Sequence, residues 1–208
     1  AGVIVARATS LLLSRFALQG LSLMELLSYR FLLAFFILFV IFHKKLAHIR
    51  LKTILRGVAV GGAFFAMMTA ELNGLKRTDS STTSFLENTA IVIVPLLEAA
   101  LHRRLPLGRN LLSAGITLVG VGCLTLNGAG IHLGLGELFC LLAAFLYACA
   151  IILTDRMSKQ DDPLLIGIVQ VGTIGLLGTI GAWSSGVPAL PQEPVQWAAI
   201  LGLALVCS

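Results

Sequence analysis

Apolar runs about one bilayer thick recur along this chain, and they constrain its fold more than any other feature. A helix needs about 20 residues to cross the hydrocarbon. Cuts at the polar breaks leave runs at 1–18, 22–42, 57–75, 82–101, 109–127, 134–154, 164–183 and 195–208. The breaks are Gln19-Gly20, the basic stretch 43–56, Lys76 to Ser81, His102 to Gly108, Asn127 to Leu133, Asp155 to Pro163, and the Pro-rich 184–194. Such short breaks force neighbouring helices to run antiparallel. A soluble fold is excluded, because 57% of the residues are hydrophobic and only 12% are charged, too few for a polar skin. Disorder is excluded for the opposite reason, since this much apolar surface collapses. The fold class expected is an all-α polytopic membrane protein, a helical bundle with eight spans in view.

The chain starts at Ala1 without a Met and stops at Cys207-Ser208 inside an apolar run. It reads as cut at both ends, the first span lacking its start and the eighth its end. Arg7 and Arg15 make the first run a poor signal-peptide core.

Charge sets an orientation. One set of alternate loops holds Lys44, Lys45, Arg50, Lys52, Arg56, Arg103, Arg104, Arg109, Arg156 and Lys159. The other holds Lys76 and Arg77, with Arg15 and Arg30 toward the same side. The excess puts loop 43–56 in the cytoplasm and loop 76–81 outside. The net charge of +5 does not point to nucleic acid, because the basic residues form short clusters between apolar runs. Their natural partner there is the anionic inner leaflet of a lipid bilayer. Cys123, Cys140, Cys149 and Cys207 lie in apolar runs without CxxC spacing and read as small buried hydrophobes. His43, His48, His102 and His132 lack ligand spacing, so no metal site and no cofactor are expected.

The chain also shows an internal echo. Ser14-Arg15 closes the first span and Asp155-Arg156 the sixth, each followed by a polar break and another span, with Arg30 and Gln170 at matching depth. A period of five spans is odd, so the two units enter the membrane in opposite senses, as in secondary transporters built from inverted repeats.

These residues resemble the EamA-like branch of the drug/metabolite transporter superfamily. Leu26 to Phe35, LLSYRFLLAF, is similar to the family's second-helix pattern of an arginine followed by apolar residues and alanine. Thr83-Ser84-Phe85 through Val94-Pro95-Leu96-Leu97 resembles its fourth helix, and Gly115 to Gly122, GITLVGVG, its glycine-rich fifth. Gly136 to Ala148 resembles the start of a second repeat, with Tyr147 where the family often has tryptophan. The chain departs from the pattern at Arg7-Ala8, where the family has Trp-Gly, and at Arg103, where it has glutamate. The resemblance implies ten helices in two inverted five-helix repeats. Residues 1–128 would be the first repeat, truncated at its N-terminus, and 134–208 the first three helices of the second, truncated at its C-terminus. It also implies an exporter of small metabolites, amino-acid-like or amphipathic, in a bacterial-type plasma (inner) membrane.

A charged side chain in the membrane interior costs at least about 2.5 kcal/mol, so it faces a cavity or a partner. Glu71 and Glu87 lie near the outer ends of neighbouring antiparallel spans, each roughly 7 Å from the midplane at about 1.5 Å rise per residue. Two carboxylates at one depth repel unless one is protonated or a cation intervenes. That suits a proton-coupled site, with protons as the coupling ion, or a site for a cation. Arg30, closer to the midplane, needs an acidic neighbour or an anionic substrate group. Asn88, Tyr29, Tyr147 and Gln170 are candidate lining residues of the same cavity. Pro95 is a candidate helix kink, since it leaves the Ile91 carbonyl without its usual donor. Glu98, eleven residues after Glu87, would continue a polar line down that helix. Gly172, Gly175, Gly178 and Gly181, with the Gly57/Gly61 pair, read as close-packing surfaces. Asp161-Asp162-Pro163 reads as a helix start.

The function expected is secondary transport of a small-molecule substrate. An intramembrane enzyme would want a nucleophile–base set or a metal cluster at one depth, and Ser80, Ser81 and Ser84 face no histidine, so no catalytic residue is assigned. A non-transporting assembly or sensor module is the other alternative, and it would show a soluble domain or an interaction tail.

Overall fold

The computed structural model describes residues 22–47, 49–102, 108–125 and 134–184. The expected spans at 1–18 and 195–208 lie outside these residues. The described residues form α-helices and no strand: α1 (Leu23–Leu46), α2 (Leu51–Leu75), α3 (Ser80–Asn88), α4 (Ala90–His102), α5 (Gly108–Thr125), α6 (Leu135–Ser158) and α7 (Pro163–Ser184). Among the described residues, five stretches are long and apolar enough to cross a membrane: Met24–Leu46, Leu51–Leu75, Ser80–His102, Leu135–Ser158 and Pro163–Trp183. The helix α5 matches the run expected at 109–127. With 18 residues and a polar Gly108-Arg109-Asn110 start, it is not one of the five.

Local chemistry sets the helix ends. Ser22 and Glu25 form a capping box at the start of α1, each side chain accepting from the other's backbone N–H. His43, Lys44 and Lys45 in its last turn complement the negative end of the helix dipole. The stretch 43–56 is not the loop the charge pattern predicts. Helix α1 runs on to Leu46 and α2 begins at Leu51, leaving a short link. Lysine and arginine are good helix formers. Their stems lie along apolar surface while their heads reach water, so a helix can outrun the hydrocarbon. Asp162 starts α7 as expected, its carboxylate accepting the Leu164 N–H at 3.0 Å with Pro163 in the first helical position.

The stretch Ser80–His102 is two helices meeting at Thr89, with Pro95 inside the second. Two side chains supply donors around the junction. Asn88 Nδ2 donates to the Ser84 carbonyl at 2.7 Å and the Thr89 hydroxyl to the Leu86 carbonyl. In lipid, such carbonyls need an internal donor.

The chain divides into two compact units. One takes in the described residues up to Phe65 and from Met157 onward, and the other is Ala66–Arg156. In the first, α1 and α7 pack antiparallel along a glycine seam. Gly172 faces Phe35, Gly175 faces Leu32, Gly178 faces Ser28 and Gly181 faces Met24. The approach is backbone to backbone, since a Cβ on Gly175 would stand 2.9 Å from the Leu32 nitrogen. Ser28 and Thr179 share a hydroxyl hydrogen bond of 2.7 Å across the seam. The other side of α7 takes α2, Gly57 lying against Val169 and Gly61 against Thr173. These glycines serve packing, as expected. Below the seam Arg56 pairs with Asp161 and also donates to the Gln160 carbonyl, while Lys45 reaches Asp162 at 3.7 Å.

In the second unit α5 packs on α3 and α4. The end of α2 meets the start of α6 through Gly74 and Gly136, a Cβ on Gly74 standing 3.1 Å from the Gly136 carbonyl oxygen. The opposite face of α6 exposes Leu135, Leu138, Leu142 and Phe145 at helical spacing, a face suited to lipid.

Candidate functional site

The α2–α6 crossing brings polar chemistry to one end of the second unit. A turn of four residues, 76–79, joins α2 to α3, so Glu71 near the end of α2 and Glu87 near the end of the short α3 belong to consecutive helices. Glu137 stands in the first turn of α6. Its two carboxylate oxygens accept from the Thr78 hydroxyl at 2.6 Å and from the Gly134 N–H at 3.0 Å, which fixes the start of α6 against the turn. One turn further on, the Cys140 thiol donates to the Thr83 hydroxyl at 3.7 Å. Both residues are buried, and the face of α6 that carries Cys140 continues through Ala144 and Ala148. Small side chains on that face let the helices approach closely.

Glu71, Glu87 and Glu137 all lie within electrostatic range of the Cys140 sulfur. Three carboxylates from three helices thus share the electrostatic surroundings of one buried thiol. Glu87 is only 5% exposed, Glu71 and Glu137 are half-buried, and each makes polar or electrostatic contacts. Arg77 closes the end of this unit, its guanidinium 5.0 Å from the centre of the Phe139 ring.

Of the residues singled out from sequence, Glu71, Glu87, Asn88 and Tyr147 fall in this unit. Tyr147 is half-buried on α6, seven residues after Cys140 and so on nearly the same face. The Asn88 amide nitrogen is used on its own helix, at the Ser84 carbonyl. Tyr29, Arg30 and Gln170 belong to the first unit. Arg30 is 7% exposed, with its guanidinium 4.9 Å from the centre of the Phe31 ring, and Tyr29 and Gln170 are half-buried. Glu98 is exposed whereas Glu87 is buried, so the two do not form one buried polar line. The junction at Thr89 lies between them.

The sequence reading placed none of Thr83, Thr78, Cys140 and Glu137 among the candidate site residues. A signal was there: Glu137 and Cys140 are one helical turn apart, on a face that continues through Ala144 and Ala148. Among the described residues no group of three or more His, Cys, Asp and Glu side chains has the arrangement to hold a metal ion.

The sequence profile of the EamA-like transporter family matches residues 1–126. The chain belongs to the EamA-like transporter family. It is therefore an integral, multi-pass membrane protein of a transporter family within the drug/metabolite superfamily, with a small-molecule substrate and the lipid bilayer as its surroundings. The family consists of transporters rather than enzymes. One solved crystal structure is similar in fold, with a TM-score of 0.69 at 14% identity, covering 99% of this chain and 74% of the other. No curated protein matches. At that identity the likeness speaks for the fold alone, a helical bundle.

Proposed function

We propose that this EamA-like chain exports a small metabolite, amino-acid-like or amphipathic, by secondary transport coupled to protons, with Glu87 and Glu71 as the coupling carboxylates. The observation that carries this reading is Glu87, only 5% exposed, with Glu71 and Glu137 in electrostatic range of the same thiol. An ionised carboxylate in such surroundings is costly unless a partner or a proton compensates it. Several of them in one low-dielectric site favour binding a proton or a cation. Alternate protonation then changes the charge that a cationic or zwitterionic substrate meets.

Arg30, Tyr29, Tyr147, Asn88 and Gln170 are assigned to the substrate path, and Pro95 to a bend in the fourth span. Residues 1–128 form the first inverted repeat and 134–208 the start of the second, giving eight of ten spans. The antiparallel seam of α1 and α7 supports this division, because they are the second helices of the two repeats. The basic stretch 43–56, with the short link between α1 and α2, faces the cytoplasm of a bacterial-type cell. The test is transport of a panel of labelled amino acids and amphipathic amines into inside-out vesicles holding the full-length protein. Uptake that rises with an imposed proton gradient supports proton-driven export. Uptake equal to that of empty vesicles across the panel removes the proposal.

A further inference from the structure

We propose that the start of α2 is a binding surface for an anionic phospholipid, with its phosphate held by Arg50 and Lys52 and its acyl chains lying along Leu51, Leu55 and Val58. The basic residues at this end of the first unit fall into two groups. Arg56 and Lys45 are committed, to Asp161 and Asp162 respectively. Arg50 and Lys52 are exposed and make no ion pair among the described residues. No acidic residue occurs in the first turn of α2, nor anywhere in the sequence between Glu25 and Glu71. Lys44 and Lys159 carry the same sign as Arg50 and Lys52, while Asp155 and Arg156 in the last turn of α6 are of opposite sign to each other, Asp155 having an interaction of its own. The two acids of the α6–α7 link, Asp161 and Asp162, already pair with Arg56 and Lys45. No described acidic residue pairs with Arg50 or Lys52, so their charge is open to an external anion.

The apolar half of the surface lies on the same helix. Leu51 is 71% exposed, Leu55 60% and Val58 44%. Their spacing of four and three residues sets them in one stripe, flanked by Arg50 and Lys52. Gly57 and Gly61 press on α7 from another side of α2, so the stripe is turned away from that contact. A diacyl phospholipid with an anionic headgroup meets both requirements. A free phosphate has no chains for the leucine stripe, and a zwitterionic headgroup brings its own cation.

The experiment measures the preference of the full chain, in phosphatidylcholine nanodiscs, for spin-labelled phosphatidylglycerol over spin-labelled phosphatidylcholine. Each basic residue near an anionic headgroup is worth about fivefold, so the double variant Arg50→Gln/Lys52→Gln should lose about 25-fold of that preference. Both side chains are exposed, so the variant keeps its fold, which its helical circular dichroism checks. Lys76→Gln, which removes an exposed cation at the other end of α2, should keep the native preference. The proposal is overturned if the double variant stays within about twofold of the native chain, when about 25-fold is expected. It is equally overturned if Lys76→Gln loses as much, or if inorganic phosphate displaces the labelled lipid from the native chain.

Discussion

Gly178→Ala tests the tightest glycine-to-backbone approach in the first unit. A Cβ at Gly178 would stand 2.8 Å from the Ser28 nitrogen and 3.1 Å from its Cα. Both are backbone atoms, which no rotamer change can move aside. Ordinary contact begins near 3.4 Å, so α1 has to retreat from α7. That retreat stretches the Ser28–Thr179 hydroxyl bond from 2.7 Å toward the limit of useful geometry. Overpacking of this kind costs about 1–3 kcal/mol. Alanine's advantage over glycine in a helix offsets about 0.5–1 kcal/mol of it, leaving a net loss of up to about 2.5 kcal/mol, centred on about 1 kcal/mol. Gly167 on the same helix has nothing within 4 Å of its Cβ position. Gly167→Ala therefore keeps only the helical gain of about 0.5–1 kcal/mol. Thermal unfolding in one detergent reads both variants, since 1 kcal/mol moves the Tm of a chain this size by about 2–4 °C. The two shifts should have opposite signs. If Gly178→Ala is as stable as Gly167→Ala, the backbone contact of α1 with α7 is not as described and the reasoning fails.

Other outcomes follow from the same contacts. A double-mutant cycle on Ser28→Ala and Thr179→Ala should give a coupling of about 0.6 kcal/mol, the usual worth of a hydroxyl bond between membrane helices; a coupling of zero removes the bond. The Arg56→Gln/Asp161→Asn cycle should couple by about 1 kcal/mol, near the top of the range for pairs still touched by solvent, and high salt should weaken it. For topology, a cysteine in place of Arg50 should resist an impermeant thiol reagent in intact cells while one in place of Lys76 reacts. The reverse labelling would invert the orientation.

Much of the fold was legible because its signal is crude: long apolar runs separated by charge. The helix starts at Ser22 and Asp162 follow from capping chemistry, and the spacing of Gly172, Gly175, Gly178 and Gly181 marks a packing surface before any partner is known. The misreadings have physical causes. Lysine and arginine at 44–56 look like a loop when charge alone is weighed, yet they continue the helices into water. Pro95 stays inside α4, while a junction that charge and proline do not announce falls at Thr89, where Asn88 and Thr89 serve the backbone carbonyls. The candidate site was legible only as isolated residues. In a soluble helix the apolar stripe reveals which face turns inward, but in lipid both faces are apolar and that signal disappears. So Glu71 and Glu87 could be picked out by cost, whereas Thr83, Thr78 and Cys140 are ordinary residues whose part depends on which helices cross. Gly74 and Gly136 decide that crossing, and nothing in their local sequence names each as the other's partner.

The most direct test of the central claim is the pH dependence of transport by the full-length protein with Glu87→Gln. The amide keeps the shape of the side chain and part of its hydrogen bonding but cannot exchange a proton. Measured in vesicles across a range of pH, with Glu71→Gln alongside, Glu87→Gln should remain folded and lose the response of transport to the proton gradient. Glu71→Gln should do the same or move the pH optimum. Native rates and native pH dependence in both variants would contradict the account, and these carboxylates would then be structural.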